Sequence, residues 1–175
     1  MNESIKKNGI TFGVLSGALS VLVTTLIYTL DIKLFLSFWI TFIKVGLFVT
    51  LMILLLNKTK KDVNGVFTFK DAFTTYFIAT LVGVIITTLF EIVLFNYVDP
   101  SLKESIKEMS LDFSVKLMQK MGATASDINK TIIEIKKADQ FSVAQLIKGT
   151  FIYVLFSSIF GLILAAFFKT NTSID

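Results

Sequence analysis

The sequence predicts an all-α integral membrane protein, a four-helix bundle with an extramembrane amphipathic αα segment between spans three and four. The chain is 54% hydrophobic and only 17% charged, whereas soluble domains hold about 45–50% apolar and about 25% charged residues. Four separate apolar runs are each long enough to cross a hydrocarbon core of about 30 Å. Backbone groups in lipid must satisfy their own hydrogen bonds, and the alternation typical of barrel strands is missing, so these runs are predicted to be helices.

Polar residues and the only proline delimit the four spans. Within a single membrane domain, residues 1–175, we predict spans at about 10–30, 34–56, 72–98 and 146–168. The first run follows Lys6 and Lys7 but exceeds the about 7–15 residues of a signal-peptide core, and no A-x-A site follows, so we expect it to be retained. Pro100 ends the third span, because it cannot continue that helix but suits the first turn of a new one.

The polar segment 99–145 is the only large extramembrane part that the sequence predicts. Its apolar residues recur at spacings of three and four, which indicates one face of a helix; they are Leu102, Ile106, Met109, Phe113, Leu117 and Met121. Gly122 suits the end of that helix, and a second helix is predicted to begin near Thr124 or Ser126. The segment is either a cap that binds a partner or ligand, or a helical hairpin lying on the headgroups or on its own bundle, which we favour.

Small residues repeat every four positions on three of the spans. The positions are Gly9, Gly13 and Gly17 on the first span, Ala79 and Gly83 on the third, and Ser157, Gly161 and Ala165 on the fourth. Small residues at this spacing let helix backbones approach closely in lipid. They indicate either packing within one bundle, which we favour, or a dimer face.

Two ionisable residues lie deep within the predicted spans. Measured from the same end of the bundle, Lys44 is roughly 15 Å deep and Glu91 roughly 10 Å deep, at the rise of an α-helix. A lone charge at the centre of a bilayer costs on the order of 3 kcal/mol. We therefore predict an intramembrane ion pair between Lys44 and Glu91. It is either a structural clamp, which we favour, or part of an ion or proton path.

The composition removes several classes of function. The chain has no cysteine and no histidine, so thiolate chemistry, imidazole metal sites and the commonest general base are absent. Motifs of zinc proteases, serine hydrolases and nucleotide-binding proteins are missing. We expect no catalytic residue, no cofactor and no metal site. The net charge of +4 comes from scattered lysines without arginine, which argues against nucleic acid as a partner.

Three sequence features follow one another in a recognisable order. Glycines follow a short lysine head, NGVFTFKDAF (64–73) opens span three, and MQKMGATASDINK (118–130) precedes span four. In this order they resemble a bacterial family found chiefly in Bacteroidota, domain of unknown function 4199. The resemblance covers nearly the whole chain and implies a four-span inner-membrane protein without a known activity. Within the second feature, Thr68 or Asp71 is predicted to cap span three.

The numbers of lysines at the two membrane faces are nearly equal, so the count alone does not decide the orientation. With both termini inside, seven lysines lie at the inner face and eight at the outer. The first span and the lysine-rich loop after span two weigh most, so we predict a multi-pass protein of the cell inner (plasma) membrane with both termini cytoplasmic. We expect a non-enzymatic assembly or interaction role in the bacterial envelope, with the lipid bilayer and a homo-oligomer or other membrane protein as partners. The alternative is a small transporter or channel component that uses the Lys–Glu pair.

Overall fold

The computed structural model describes residues 2–170, and no strand occurs among them. The helices are α1 Glu3–Leu30, α2 Phe38–Asp62, α3 Phe69–Val93, α4 Ser101–Lys120, α5 Ala125–Lys137 and α6 Val143–Phe168. A 3₁₀ turn, Ile32–Leu36, connects α1 to α2, and a π-helical turn, Leu94–Val98, extends α3. The predicted all-α fold class is confirmed.

Four of these helices are long and apolar enough to cross a membrane, namely α1, α2, α3 with its π turn, and α6. They correspond to the four predicted spans, although their bounds differ. The first helix begins at Glu3, earlier than expected, because the Asn2 side chain accepts a hydrogen bond from the Ser4 amide and caps it. The second begins at Phe38, after the 3₁₀ turn, and continues to Asp62 because lysine-rich sequence remains a good helix former in water.

Local capping chemistry sets the ends of several helices. Thr68 and Asp71 act together at the start of α3: each side chain accepts a hydrogen bond from the other residue's amide, both at 3.1 Å, forming a capping box. Gly122 has φ +75° just after α4, a conformation that favours glycine. Thr124 then caps α5 by accepting from the Asp127 amide at 3.2 Å. The turn residues expected from the sequence therefore occupy the predicted positions.

Helix α3 lies at the centre of the bundle. It packs most extensively on α1 and next on α6, whereas α2 has only small contacts with α6. We call the end of the bundle that carries α4 and α5 the cap end, and the end that carries Asp62 and Phe67 the base end. A hydrophobic cluster fills the base end, and its members include Met52, Leu55, Leu56, Phe67, Ala72 and Tyr76. The base end of the bundle is therefore filled by closely packed side chains.

The glycines of α1 form the contact with α3. Gly9 faces Ile78, Gly13 faces Val82 and Gly17 faces Ile86. A Cβ atom on Gly13 would lie only 2.8 Å from the backbone oxygen of Ala79. Two helix backbones approach this closely only where small residues meet, as is common in pairs of membrane helices.

Small residues also line the remaining contacts of α3. Gly83 lies against Gly13 and the Ser16 hydroxyl of α1, and Gly161 of α6 lies against the Tyr76 ring. Ala79 and Ala165 are fully buried, and Ser157 is 9% exposed. The structure thus places the small residues at contacts between helices of the same chain.

The α4–α5 hairpin rests on the cap end through α4. Leu102 and Ile106 of α4 are buried against Leu94 and Phe95 of the π turn. At the corner, Asp99 accepts hydrogen bonds from Ser101 and from the Tyr28 hydroxyl. The Ser101 hydrogen bond lowers the pKa of Asp99, because it stabilises the charged carboxylate. The first helix of the segment therefore lies on its own bundle.

Candidate functional site

A cavity of about 670 Å³ lies among the four long helices, on the side where α2 and α6 barely touch. Along α6 its lining extends from Gln145 to Phe160, which is about 22 Å at the rise of an α-helix. Gln140, in the connection between α5 and α6, borders the upper part of the cavity, the part nearest the cap end. The cavity therefore reaches the cap end of the bundle, and its volume falls in the range of small-molecule sites, about 300–1,000 Å³.

Lys44 and Glu91 both line this cavity, and they are the charged residues among its lining. Counted along their helices from the cap end, Lys44 lies about 9 Å and Glu91 about 10 Å deep. Two ion pairs closer than 4.0 Å occur among residues 2–170, Lys58–Asp62 and Lys116–Asp112, and neither involves Lys44 or Glu91. Lys44 and Glu91 thus face one space at one depth, and their direct pairing stays a prediction.

Hydroxyl groups line the same cavity as the two charges. The Thr88 and Thr150 hydroxyls share a hydrogen bond of 2.7 Å between α3 and α6, and Thr87 donates to the Gly83 carbonyl oxygen at 3.1 Å. Deeper in the cavity, Thr80 is 2% exposed, and its Oγ1 has no hydrogen-bond partner among the described residues. Threonines in long apolar runs give no indication of their partners, so sequence reasoning did not select Thr80, Thr88 or Thr150.

Aromatic rings form the floor of the cavity. The Tyr76 hydroxyl donates to the Ser157 carbonyl oxygen at 3.0 Å and lies 2.6 Å from the Ser157 hydroxyl. The Tyr76 ring centroid lies 6.2 Å from that of Phe48 and 6.5 Å from that of Phe160. Because the buried cluster of the base end begins directly below these rings, the cavity ends at this level.

A separate polar cluster ties α1 to α2 at the base end. The Asn8 amide donates to Asp62 at 2.9 Å and to the Thr59 hydroxyl at 3.2 Å, and Lys58 pairs with Asp62 at 3.1 Å. Asn8 is only 5% exposed. Sequence reasoning missed this cluster because polar residues near span ends are expected to face water. It lies apart from the cavity and holds the helix ends together.

These features define the class of protein. An all-helical fold with four long apolar helices is compatible with a membrane protein and suggests a multi-pass one. The chain belongs to the family described as "Protein of unknown function (DUF4199)", whose sequence profile matches residues 11–170. The resemblance to that family is thereby confirmed. No curated protein and no solved structure matches the chain.

Proposed function

We propose that this protein is a non-enzymatic membrane protein that holds a polar solute in its cavity, as a small transporter or channel component. The observation that carries the proposal is that Lys44 and Glu91 border the same cavity of about 670 Å³. Ionisable residues within spans usually face a cavity or a partner and mark substrate and ion pathways. A pair serving only as a clamp has no need of the space beside it, so the cavity favours the transport alternative.

An assembly or interaction role in the bacterial envelope is the second candidate, and the hairpin supports it. Helix α5 packs on α4, and Met121 and Ile133 of the hairpin are 77% and 52% exposed. These apolar side chains suit a second copy of the chain or another membrane protein. Protein that co-purifies in mild detergent through the hairpin would favour this candidate.

The proposal includes the inner membrane of a bacterium and cytoplasmic termini. The lysine-rich stretch at the end of α2, with Lys58, Lys60 and Lys61, supports this orientation through the positive-inside rule. An enzymatic reporter fused near residue 120 is then expected to read as extracytoplasmic. A cytoplasmic reading at that position reverses the orientation.

Water access to the cavity tests the transport proposal, and the chain suits the measurement because it has no native cysteine. Thr150→Cys places a thiol in the cavity, whereas Leu155→Cys, on the same helix, replaces a side chain that is 70% exposed on the outer surface of the bundle. The thiolate is the nucleophile that attacks a maleimide, and it forms in water and not among acyl chains. We expect a water-soluble maleimide to label the Thr150→Cys chain and not the Leu155→Cys chain in intact membranes.

Flux in liposomes completes the test. Liposomes that contain the wild-type chain are expected to take up a polar solute when a potential or a pH gradient is applied. Liposomes with the Lys44→Gln or the Glu91→Gln chain are expected to lose that uptake. Lys148→Gln is the matched control, because Lys148 lies exposed on α6 outside the cavity lining. A structural clamp predicts a different pattern. Lys44→Met then lowers the amount of the protein that accumulates in cells, and adding Glu91→Leu restores both that amount and any flux. Absent labelling at position 150 together with absent flux contradicts the proposal.

A further inference from the structure

We infer that the cavity binds a zwitterion, a molecule that carries an ammonium group and an acidic group on an otherwise apolar body. The inference rests on the proposed function and names the chemical class of its solute. Three features of the cavity carry it: its pair of opposite charges, its hydrogen-bonding groups, and its apolar lower half.

The charges of the lining decide which ligand charges fit. Lys44 comes from α2 and Glu91 from α3, at nearly the same depth, and the rest of the lining is uncharged. A ligand with one charge would pair with one of the two residues and leave the other unpaired in a poorly solvated site, which is costly. A zwitterion places an acid group at Lys44 and an ammonium group at Glu91, so both residues gain a charge-assisted hydrogen bond.

Uncharged polar groups complete the upper half of the site. Gln140 and Gln145 present amides at the cap end, and each amide offers both donors and acceptors. The Thr88–Thr150 pair lies between these amides and the floor, with hydroxyls from two helices. These groups suit a molecule whose polar end faces the cap end.

The lower half of the cavity is lined mostly by apolar side chains. Phe48, Leu51 and Phe160 line it above and around the Tyr76 ring. Burial of apolar surface there favours a bound molecule that has an apolar part. The zwitterion is therefore expected to carry an apolar side chain or tail directed toward Tyr76.

Two kinds of molecule, soluble amino acids and zwitterionic lipids, carry this combination of charged and apolar groups, and the cavity is open to both. A soluble amino acid reaches it from water past Gln140 and Gln145. A zwitterionic lipid headgroup reaches it from the bilayer through the gap between α2 and α6, where Phe156 is 70% exposed. The experiment must therefore include a soluble and a lipid arm.

The test measures protection of the Thr150→Cys thiol from maleimide in the purified full chain, together with binding calorimetry on the wild-type chain. The soluble arm compares L-phenylalanine and L-leucine with 2-phenylethylamine and 3-phenylpropionate, which keep only the cationic or only the anionic group. The lipid arm compares zwitterionic lysophosphatidylethanolamine with anionic lysophosphatidylglycerol. We expect the zwitterions of at least one arm to bind and protect, and their singly charged counterparts to bind roughly 10- to 100-fold more weakly, as expected when one charged partner is lost.

Each outcome decides the inference. Binding in the soluble arm alone identifies an amino-acid-like solute, and binding in the lipid arm alone identifies a headgroup. Equal binding of singly charged molecules overturns the zwitterion while leaving a solute-binding cavity intact. Absence of protection by every zwitterion, when water does reach the thiol introduced at position 150, also overturns it. Failure of water to reach that thiol, together with absent flux in liposomes, instead contradicts the proposed function itself.

Charge variants separate recognition from folding. Lys44→Gln and Glu91→Gln are each expected to weaken zwitterion binding by roughly 10-fold or more, and Lys148→Gln to leave it unchanged. Exchanging the charges, Lys44→Glu with Glu91→Lys, is expected to restore binding, because a zwitterion can bind in the reverse direction. The ligand series on the wild-type chain decides the question even if a single variant fails to fold.

Discussion

Replacing Gly13 with alanine is expected to lower the free energy of unfolding by about 1–3 kcal/mol, the cost of overpacking a tight interface. The new methyl group would lie 2.8 Å from the backbone oxygen of Ala79 and 2.6 Å from the Val82 Cβ. Neither atom moves easily: one is helix backbone, and the other belongs to a β-branched side chain with essentially one helical rotamer. The α1 and α3 helices must therefore separate along the most extensive contact in the bundle.

Two other glycines provide matched controls within long helices. A Cβ atom on Gly46 of α2 or on Gly149 of α6 meets nothing within 4 Å. Alanine at these positions is expected to leave stability unchanged or raise it, because glycine is the poorer helix former by about 1 kcal/mol. Thermal unfolding of the three variants in one detergent measures the difference. Equal stability of Gly13→Ala and Gly46→Ala would show that α1 and α3 do not meet at Gly13.

The largest single loss is expected for Tyr76→Ala, at about 3–5 kcal/mol of unfolding free energy, the range for removing a buried aromatic ring. Tyr76 has no exposed surface and packs against Gly161 of α6 and Phe48 of α2. Its hydroxyl also bonds to Ser157. Removing the side chain takes away the floor of the cavity and the main contact between α3 and α6 at this level.

Comparison with two other tyrosine variants divides that loss into its parts. Tyr76→Phe removes only the hydrogen bonds to Ser157 and is expected to cost about 1 kcal/mol. Tyr97→Ala, at a residue that is 75% exposed, is expected to stay within about 0.5 kcal/mol of the wild-type chain. Unfolding followed by circular dichroism ranks the three. A Tyr76→Ala chain as stable as Tyr97→Ala would contradict the placement of this ring in the interior.

The features that the sequence predicts well are those set by local patterns. Run length and apolar content identify the four long helices, and Thr68, Asp71 and Gly122 identify helix ends through their own backbone chemistry. The common depth of Lys44 and Glu91 follows from counting along neighbouring antiparallel helices. Local pattern and simple geometry are sufficient for each of these.

Features that depend on which helices meet are not visible in the sequence. Thr88 and Thr150 lie 62 positions apart, and nothing in either helix indicates that their hydroxyls share a hydrogen bond. The cavity lies where α2 and α6 make few contacts, a property of the packing arrangement and not of either helix. The 3₁₀ turn Ile32–Leu36 escaped prediction for a related reason, since its apolar residues continue the hydropathy of the second span.

The half of α2 toward the base end is buried more fully than the half toward the cap end. Toward the base, Met52, Leu55 and Leu56 have no exposed surface, and the Asn8–Asp62 hydrogen bond secures the last turn. Toward the cap, Trp39 and Phe42 are 79% and 69% exposed. A small tilt of α2 about its secured half would change the width of the chamber beside Lys44 while the interior below keeps its contacts. The fully buried residues of α2 thus all lie in the half of the helix beyond Lys44, toward the base end.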